Sequence, residues 1–449
     1  MACLTPANEN NFIKWQKVSG TLTLADLQAS GLPNQCDFTK IDPVTDLVAT
    51  ATDDEIIQLT WTSDIEDATF DIYRSLTSGS GFSVVATGQT GQSYNDTGLT
   101  KDTTYYYKIV SKFKQLESGF SNEVNATTFN SFIMEVVTSN SGASDNDQFT
   151  LPFILTGTYN CLVKWGDGNE DTITIYNEAA TQHTYSSSGT YTIKISGTIQ
   201  GFSFGTTTND QDPAKVTEIS QWGTLQPTSV NGTFQSCSNM DITASDAPDL
   251  SQTTTMNTFF NGCSSFDGLS TDMSTWDVSG IGDFTSCFFQ ASTFNGDITA
   301  WTTTAAFTMS GMFRSSSFNR DISGWDMNGV TSVSNMFNGV GSFNQNLAAW
   351  DTSTITNMQS LFRSTSMDQN LAAWDVTGVT NMVLIFDSTP LSQANYDAIL
   401  IGWEAQAVQN SVVANFGNAN YTAAPSAAAT ARAALIADHS WTITDGGPI

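Results

Sequence analysis

The sequence predicts a mainly β, multidomain chain: two β-sandwiches, then a solenoid of short repeats, then a small α/β cap at the C-terminus. Three observations carry this prediction. Tryptophan returns on a fixed beat at Trp276, Trp301, Trp325, Trp350 and Trp374, spaced 25, 24, 25 and 24 residues apart. Upstream, 41–129 shows short alternating strands bounded by turn residues, the pattern of a sandwich, and Trp165-Gly166-Asp167-Gly168 with His183-Thr184-Tyr185 marks a further module over 130–205. After 390 the apolar residues of Leu391 to Trp403 fall at helical spacing.

Size and charge bound what such a chain does. Its 449 residues are enough for about three domains, and 39% hydrophobic with 11% aromatic residues can fill their cores. A net charge of −29 repels polyanions, so neither nucleic acid nor an anionic membrane is an expected partner. The low charged fraction, 13%, with abundant Ser, Thr, Asn and Gly, suits an extracellular or virion β-protein. No run of 18 apolar residues marks a transmembrane helix. Neither a secretion leader nor an anchoring tail is readable. Cys3, Cys36, Cys161, Cys237, Cys263 and Cys287 form no CxxC pair or zinc spacing. Cys237 and Cys263 fall at one place in successive turns and read as buried thiols, while a Cys3–Cys36 pairing stays open.

Residues 1–40, with Trp15 and the Leu22-to-Leu32 stretch, form a separate N-terminal segment. The first sandwich, 41–129, has strands at Ile56–Trp61, with Trp61 aimed at the core, at Phe70–Arg74, and at Leu99 to Tyr105 leading into Tyr107 and Ile109. Pro43-Val44…Leu47, Trp61 and the Leu99…Thr103…Tyr105 spacing resemble fibronectin type III, with Tyr105 as its tyrosine corner. Lys101-Asp102 replaces the usual proline-containing turn, and no Arg-Gly-Asp is present.

The second sandwich, 130–205, carries Trp165-Gly166-Asp167-Gly168, His183-Thr184-Tyr185 and Gly189-Thr190-Tyr191. These resemble a PKD-type domain, in which such motifs build the scaffold. Asp167, Asn169 and Asp171 with Glu178 have part of a calcium-loop spacing. The sixth position is Thr172 instead of glycine, and Thr172 to Ile175 reads as a strand, so no metal is expected. His183 reads as a structural histidine, and His439 has no partner in view.

Between 206 and 390 several columns repeat with the tryptophans. Phe288, Phe313, Phe337, Phe362 and Phe386 stand at +12, and Phe284, Met309, Val333, Met358 and Met382 at +8. The +5 and +11 columns are apolar as well. Trp222 with Phe234, and Phe259 and Phe260 with Cys263 and Phe266, mark weaker copies, giving about seven turns. A unit this short cannot fold alone, so each turn buries its apolar face on the next and the rings form an internal spine. Trp-Asp-Val-Thr-Gly-Val-Thr-Asn-Met-x-x-x-Phe at 374–386 and Phe-Asn-x-Asp-Ile-x-x-Trp at 318–325 resemble the BspA-like surface repeat. That repeat is leucine-rich-repeat-related and of Mycoplasma-lipoprotein type. The resemblance implies a short strand and a helical or irregular return per turn, and a surface or adhesion role. The cap, 391–449, is read as a helix ending near Gln409, a second helix over Ala427 to Ala437, and a last strand at Trp441 to Thr444. It is similar to the ends of BspA-like proteins from environmental bacteria and their phages.

For function, two histidines in separate modules give no nucleophile, base and acid set, and phosphate-cradling loops are missing. No enzyme and no cofactor are expected, a hidden glycosidase among the 44 acids being the minor alternative. The expected role is a non-enzymatic structural or adhesion protein of a phage particle, a tail fibre or a head or tail decoration at the virion surface. Residues 1–40 would dock onto other virion proteins, and the solenoid would meet a host-surface protein or glycan. A homo-oligomer is expected on the particle, without coiled-coil heptads to support it. The alternative is a bacterial cell-surface adhesin. Candidate surface contacts are the repeat's few cations, Arg314, Arg320 and Arg363.

Overall fold

The computed structural model describes residues 41–205 and 211–449. The N-terminal segment assigned to docking, with Cys3 and Cys36, lies outside the described residues. The chain divides into two compact units, one ending at Asn130 and one running from Ser131 to Ile449.

The first unit is a fibronectin type III-like sandwich. One sheet has the order β1 (Val48–Asp53), β2 (Ile56–Thr60), β5 (Ser93–Thr97). The other runs β4 (Ser83–Thr90), β3 (Thr69–Ser75), β6 (Thr104–Phe113), β7 (Leu116–Phe120), with β8 (Val124–Thr127) also paired to β6. Period-two alternation sends Ile57, Leu59 and Trp61 into the core, where the Trp61 and Phe70 rings meet edge to face at 5.0 Å. Tyr105 makes the corner: its hydroxyl accepts the Thr100 N–H at 3.0 Å. Where proline is missing, Asp102 takes a left-handed conformation (φ 51°) and closes the turn.

In the second unit β9 (Phe132–Val137), β11 (Phe153–Lys164), β12 (Glu170–Ile173) and β14 (Thr190–Phe202) build one sheet in the order β12-β11-β14-β9. β10 (Gln148–Thr150) and β13 (Gln182–Thr184) pair separately, and Phe149 and Tyr185 enter the same core. Trp165-Gly166-Asp167-Gly168 turns β11 into β12, with both glycines at positive φ. The strand expected at Thr172 to Ile175 lies earlier, as β12. Thr174 and Ile175 leave the sheet because their N–H groups both donate to the Glu178 carboxylate at 2.9 Å.

No break in packing separates this module from the repeats. β9 pairs with β15 (Val216–Gln221), which pairs in parallel with β17 (Asp241–Ile242), while β16 (Leu225–Gln226) pairs with β14. One hydrophobic core runs from Phe132 to Trp441.

The repeat region is a solenoid with an aromatic core. Phe234, Phe260, Phe288, Phe313, Phe337, Phe362, Phe386 and Phe416 stack in one column at 5.4 to 6.0 Å. A second column, Phe266, Phe294, Phe318 and Phe343, lies against it. The five periodic tryptophans are 1 to 4% exposed. From Trp301 on, each indole N–H donates to a carbonyl of the preceding turn, as Trp350 does to Ile322 O at 3.0 Å.

The strand of each turn shrinks to one parallel bridge, along Thr255, Asp283, Thr308, Ser332, Asn357 and Asn381. Beyond the bridge, residues at +10 (Ser286, Gly311, Asn335, Ser360, Leu384) and +14 (Gln290, Ser315, Gly339, Ser364, Ser388) all have positive φ. That conformation costs roughly 1–2 kcal/mol for a residue with a side chain. In exchange those from Ser286 to Ser364 aim their N–H groups at the next turn, as Asn335 does toward Gln359 O at 2.7 Å and Ser364 toward Asp387 O at 2.9 Å.

The cap holds α1 (Gln393–Glu404), α2 (Ala427–His439) and two short parallel pairs. These are β18 (Val413–Asn415) with β20 (Thr442–Thr444) and β19 (Asn420–Tyr421) with β21 (Gly447–Pro448). α1 stops five residues before the expected Gln409, because the Gln406 amide turns back to bond Trp374 O and Gly402 O and accepts the Val376 N–H. α2 runs two residues beyond the expected Ala437 and ends where Ser440 adopts φ 57°. Trp403 and Phe416 continue the repeat inside the cap: the Trp403 indole donates to Leu371 O at 3.1 Å, and Phe416 stacks on Phe386.

Candidate functional site

With the rings inside, the outward residues between them carry any contact chemistry. On one face the bridge column Asp283, Thr308, Ser332, Asn357, Asn381 runs beside Thr285, Ser310, Ser334 and Gln359, two residues further along each turn. Successive turns joined by such bridges lie about 4.8 Å apart, so hydroxyls meet across turns. Ser310 Oγ is 2.8 Å from Ser332 Oγ and 3.2 Å from Ser334 Oγ, and Asn381 Nδ2 donates to Gln359 Oε1 at 3.2 Å. Beside this column runs a ladder through Gly282, Phe307, Thr331, Thr356 and Thr380. There each N–H donates to the carbonyl one turn back at 2.8 or 2.9 Å.

A second polar ladder follows the rings of the second column. Asn319 N donates to Asn295 Oδ1, Asn344 N to Asn319 Oδ1, Asp368 N to Asn344 Oδ1, and Ser392 N to Asp368 Oδ1. Nearby acids close short turns: the carboxylates of Asp277, Asp297 and Asp351 accept from the hydroxyl and N–H two residues on. Those bonds, the hydroxyl's first, hold their pKa values below the ordinary aspartate range.

The structure places the three candidate cations on two different ladders. Arg314 and Arg363 share a column with Phe289 and Asp387: the Arg314 guanidinium sits 5.0 Å from the Phe289 ring centroid, and Arg363 Nε is 3.0 Å from Asp387 Oδ2. Arg320 instead donates Nε to Asn295 O at 2.9 Å on the asparagine ladder. Each thus ties one turn to a neighbour. The calcium-spaced residues of the second sandwich do not converge. Asp167 receives His183 at 2.9 Å and Asn169, Asp171 receives the Trp165 indole, and Glu178 receives Thr174. His183 stacks on Trp165 at 4.7 Å, a structural setting.

Phe307 is the residue that the column reading overlooks. It is 54% exposed while the ladder tryptophans and phenylalanines are buried. Its only sequence signal is an aromatic in a column otherwise Gly or Thr.

Fold and surface together define a mainly β, multidomain chain whose repeats bury aromatic rings and present hydroxyls, amides and carboxylates. Among known families, the one described as "Mycoplasma protein of unknown function, DUF285" matches residues 228–333 and again 314–426, which lie within the repeats and the cap's first part. The match gives no support to an origin in a phage particle. Among solved structures, an Fn3-like protein from Clostridium thermocellum is 30% identical, covering 18% of this chain and 86% of that one at a TM-score of 0.17. A fibronectin type III domain derived from the human KIAA0970 protein is 14% identical, covering 24% and 86% at a TM-score of 0.19. The chicken CNTN1 FN1-FN3 domains are 14% identical, covering 35% and 62% at a TM-score of 0.17. No curated protein matches the chain. Among the described residues no helix is long and apolar enough to cross a membrane.

Proposed function

We propose that this chain is a non-enzymatic cell-surface protein that uses the outer columns of its solenoid to bind another surface. The observation that carries this reading is the division of labour within each turn. Positions +5, +8, +11 and +12 are buried and apolar, while +7 in all five turns and +9 in the first four, before Val383, present hydroxyl, amide or carboxylate groups in register. A periodic, largely uncharged polar face suits many weak hydrogen bonds to a repeating partner, and its regular spacing lets those bonds act together. Catalysis calls for something else, a few groups with shifted pKa values gathered in a concave site. The match of the repeats to a mycoplasma family favours the cell envelope over a virion as the home of this surface.

The test is binding by the intact chain. Purified full-length protein, labelled with a fluorophore and titrated onto bacterial and animal cells, should bind saturably and be competed by unlabelled protein. Protease shaving of intact producing cells should release its peptides. Non-saturable binding together with resistance to shaving would overturn the assignment.

A further inference from the structure

Phe307 breaks the rule of the solenoid. In the turn before it the same position is Gly282, and in the three turns after it Thr331, Thr356 and Thr380, so the fold requires no ring there. Single exposed apolar side chains are ordinary. This one has a seat. A Cβ placed on Gly282 would meet Phe307 Cε1 at 2.7 Å and Cδ1 at 2.9 Å, so the bare glycine backbone makes the space in which that ring edge rests. The backbone of Phe307 is fixed as well: its N–H donates to Gly282 O at 2.8 Å, and its carbonyl accepts Thr331 N at 2.9 Å and Thr331 Oγ1 at 3.1 Å. A ring held in this way loses little freedom on binding.

Polar residues occupy the next positions of its ladder and of the column beside it. Thr331 and Thr356 continue its ladder outward, both exposed. Asp283, Thr308 and Ser332 stand in the adjoining bridge column. We propose that Phe307 is the stacking platform of a glycan-binding site that takes neutral hexose or N-acetylhexosamine units. A pyranose carries axial C–H groups on one face and hydroxyls around its rim. The C–H face meets the phenyl ring, and the rim reaches the Thr, Ser and Asp side chains. The chain's net charge of −29 selects against uronic or sialic acids. This inference rests on the surface-binding reading above and names its ligand class.

The experiment uses the full chain and two variants. Phe307→Thr installs the residue that the next three turns carry, so it fits the ladder. Phe307→Tyr keeps the ring. The probe is a printed array of neutral gluco-, manno-, galacto- and N-acetylglucosamine oligosaccharides, followed by titration of the best binder. The expected result is binding by the parent chain, at least a tenfold loss in Phe307→Thr with an unchanged unfolding midpoint, and retention in Phe307→Tyr. Equal binding by Phe307→Thr, or no binding of any arrayed glycan by the parent chain, overturns the platform. If either of those results came with undiminished cell binding, the platform alone would fall and the surface-binding function would stand. Loss of cell binding by the parent chain would remove both.

Discussion

Replacing Phe337 by alanine tests the aromatic spine at its centre. Phe337 is fully buried and lies 5.8 Å from both Phe313 and Phe362 and 3.8 Å from Phe343, all within 14° of parallel. Removing the ring forfeits about 1.5–3 kcal/mol of burial. The cavity left behind raises the loss to about 3–5 kcal/mol. The neighbours have little freedom to close the gap, because Phe337 N donates to Leu361 O at 3.1 Å and Phe313 N to Met336 O at 3.0 Å, which fixes the spacing of the turns. At about 1.4 kcal/mol per tenfold, the opening of this turn becomes easier by two to three and a half powers of ten. In a stacked array a weak turn also uncouples the turns on either side. Urea titration of the full chain, followed by indole fluorescence, reads the effect, since the ladder tryptophans flank the site. Phe307→Ala is the matched control, the same truncation on the exposed ladder, expected to change stability by no more than about 0.5 kcal/mol. Equal losses in the two variants would refute the internal spine.

Three further outcomes follow from buried or bonded groups. Lys215 and Asp212 side chains are fully buried, and the three N–H groups of the Lys215 ammonium are shared among Ser144 O, Ser144 Oγ, Asp145 O and Gln148 O, which lie at 2.8 to 3.1 Å. Lys215→Met leaves the buried Asp212 carboxylate, which Ser144 and Thr150 still bond, without its counter-charge and should cost about 3–5 kcal/mol, with Asp212→Asn added to it restoring part of the loss. A single-variant loss below about 1 kcal/mol in urea titration would show that the pair holds nothing in place. The carboxyls of Asp277, Asp297 and Asp351 titrate lower in the folded chain than the ordinary 3.8, so the unfolded chain binds more protons at acid pH. Their stabilisation is complete above that value and disappears as pH falls through the depressed ones. The urea midpoint should therefore drop below about pH 4, and the drop should be shallower in Ser353→Ala; an unchanged profile in that variant would contradict the role of the hydroxyl. Burial pushes the Cys161 thiol up to about 12 and those of Cys237 and Cys287 well above their ordinary value. Maleimide should leave these three unmodified in the native chain and label them in urea, as peptide mass spectrometry would record; native labelling of any of them would sink the buried assignment.

How much of this could be read in the sequence depended on whether an element is held by volume or by a bond. The ring columns were legible because each turn must offer its neighbour the same bulk at the same place, which forces Trp and Phe to recur. The left-handed residues at +10 were not, since Ser286, Gly311, Asn335, Ser360 and Leu384 share a backbone conformation but no side-chain type. The Trp403 and Phe416 rung escaped the beat because α1 lengthens that turn. Lys215 and Asp212 carry no local signal: their partners Ser144, Asp145 and Gln148 lie more than sixty residues away in sequence. Phe307 was hidden by its chemistry, since an aromatic amid aromatic columns looks like core.

The two ends of the array explain why its outer face can differ from turn to turn. A stack of identical turns would expose a ring column at each terminus, yet here the first turns join the sheet of the second sandwich through β15 and β17. The last turns close through Trp403, Phe416 and the parallel pair β18 and β20. Since the spine is sealed at both ends and stitched by backbone bonds along its length, inward side chains and main chain carry most of the stability, and exposed bonds such as Arg363 to Asp387 add small terms. The bridge column and the ladder beside it carry little of that duty: Asp, Thr, Ser and Asn succeed one another in the one, and Gly, Phe and Thr in the other, on one unchanged backbone register. A surface whose residues change while their geometry does not can be recoded for a new partner one side chain at a time. Phe307 seated on Gly282 shows that this register accepts a ring where the neighbouring turns carry glycine or threonine.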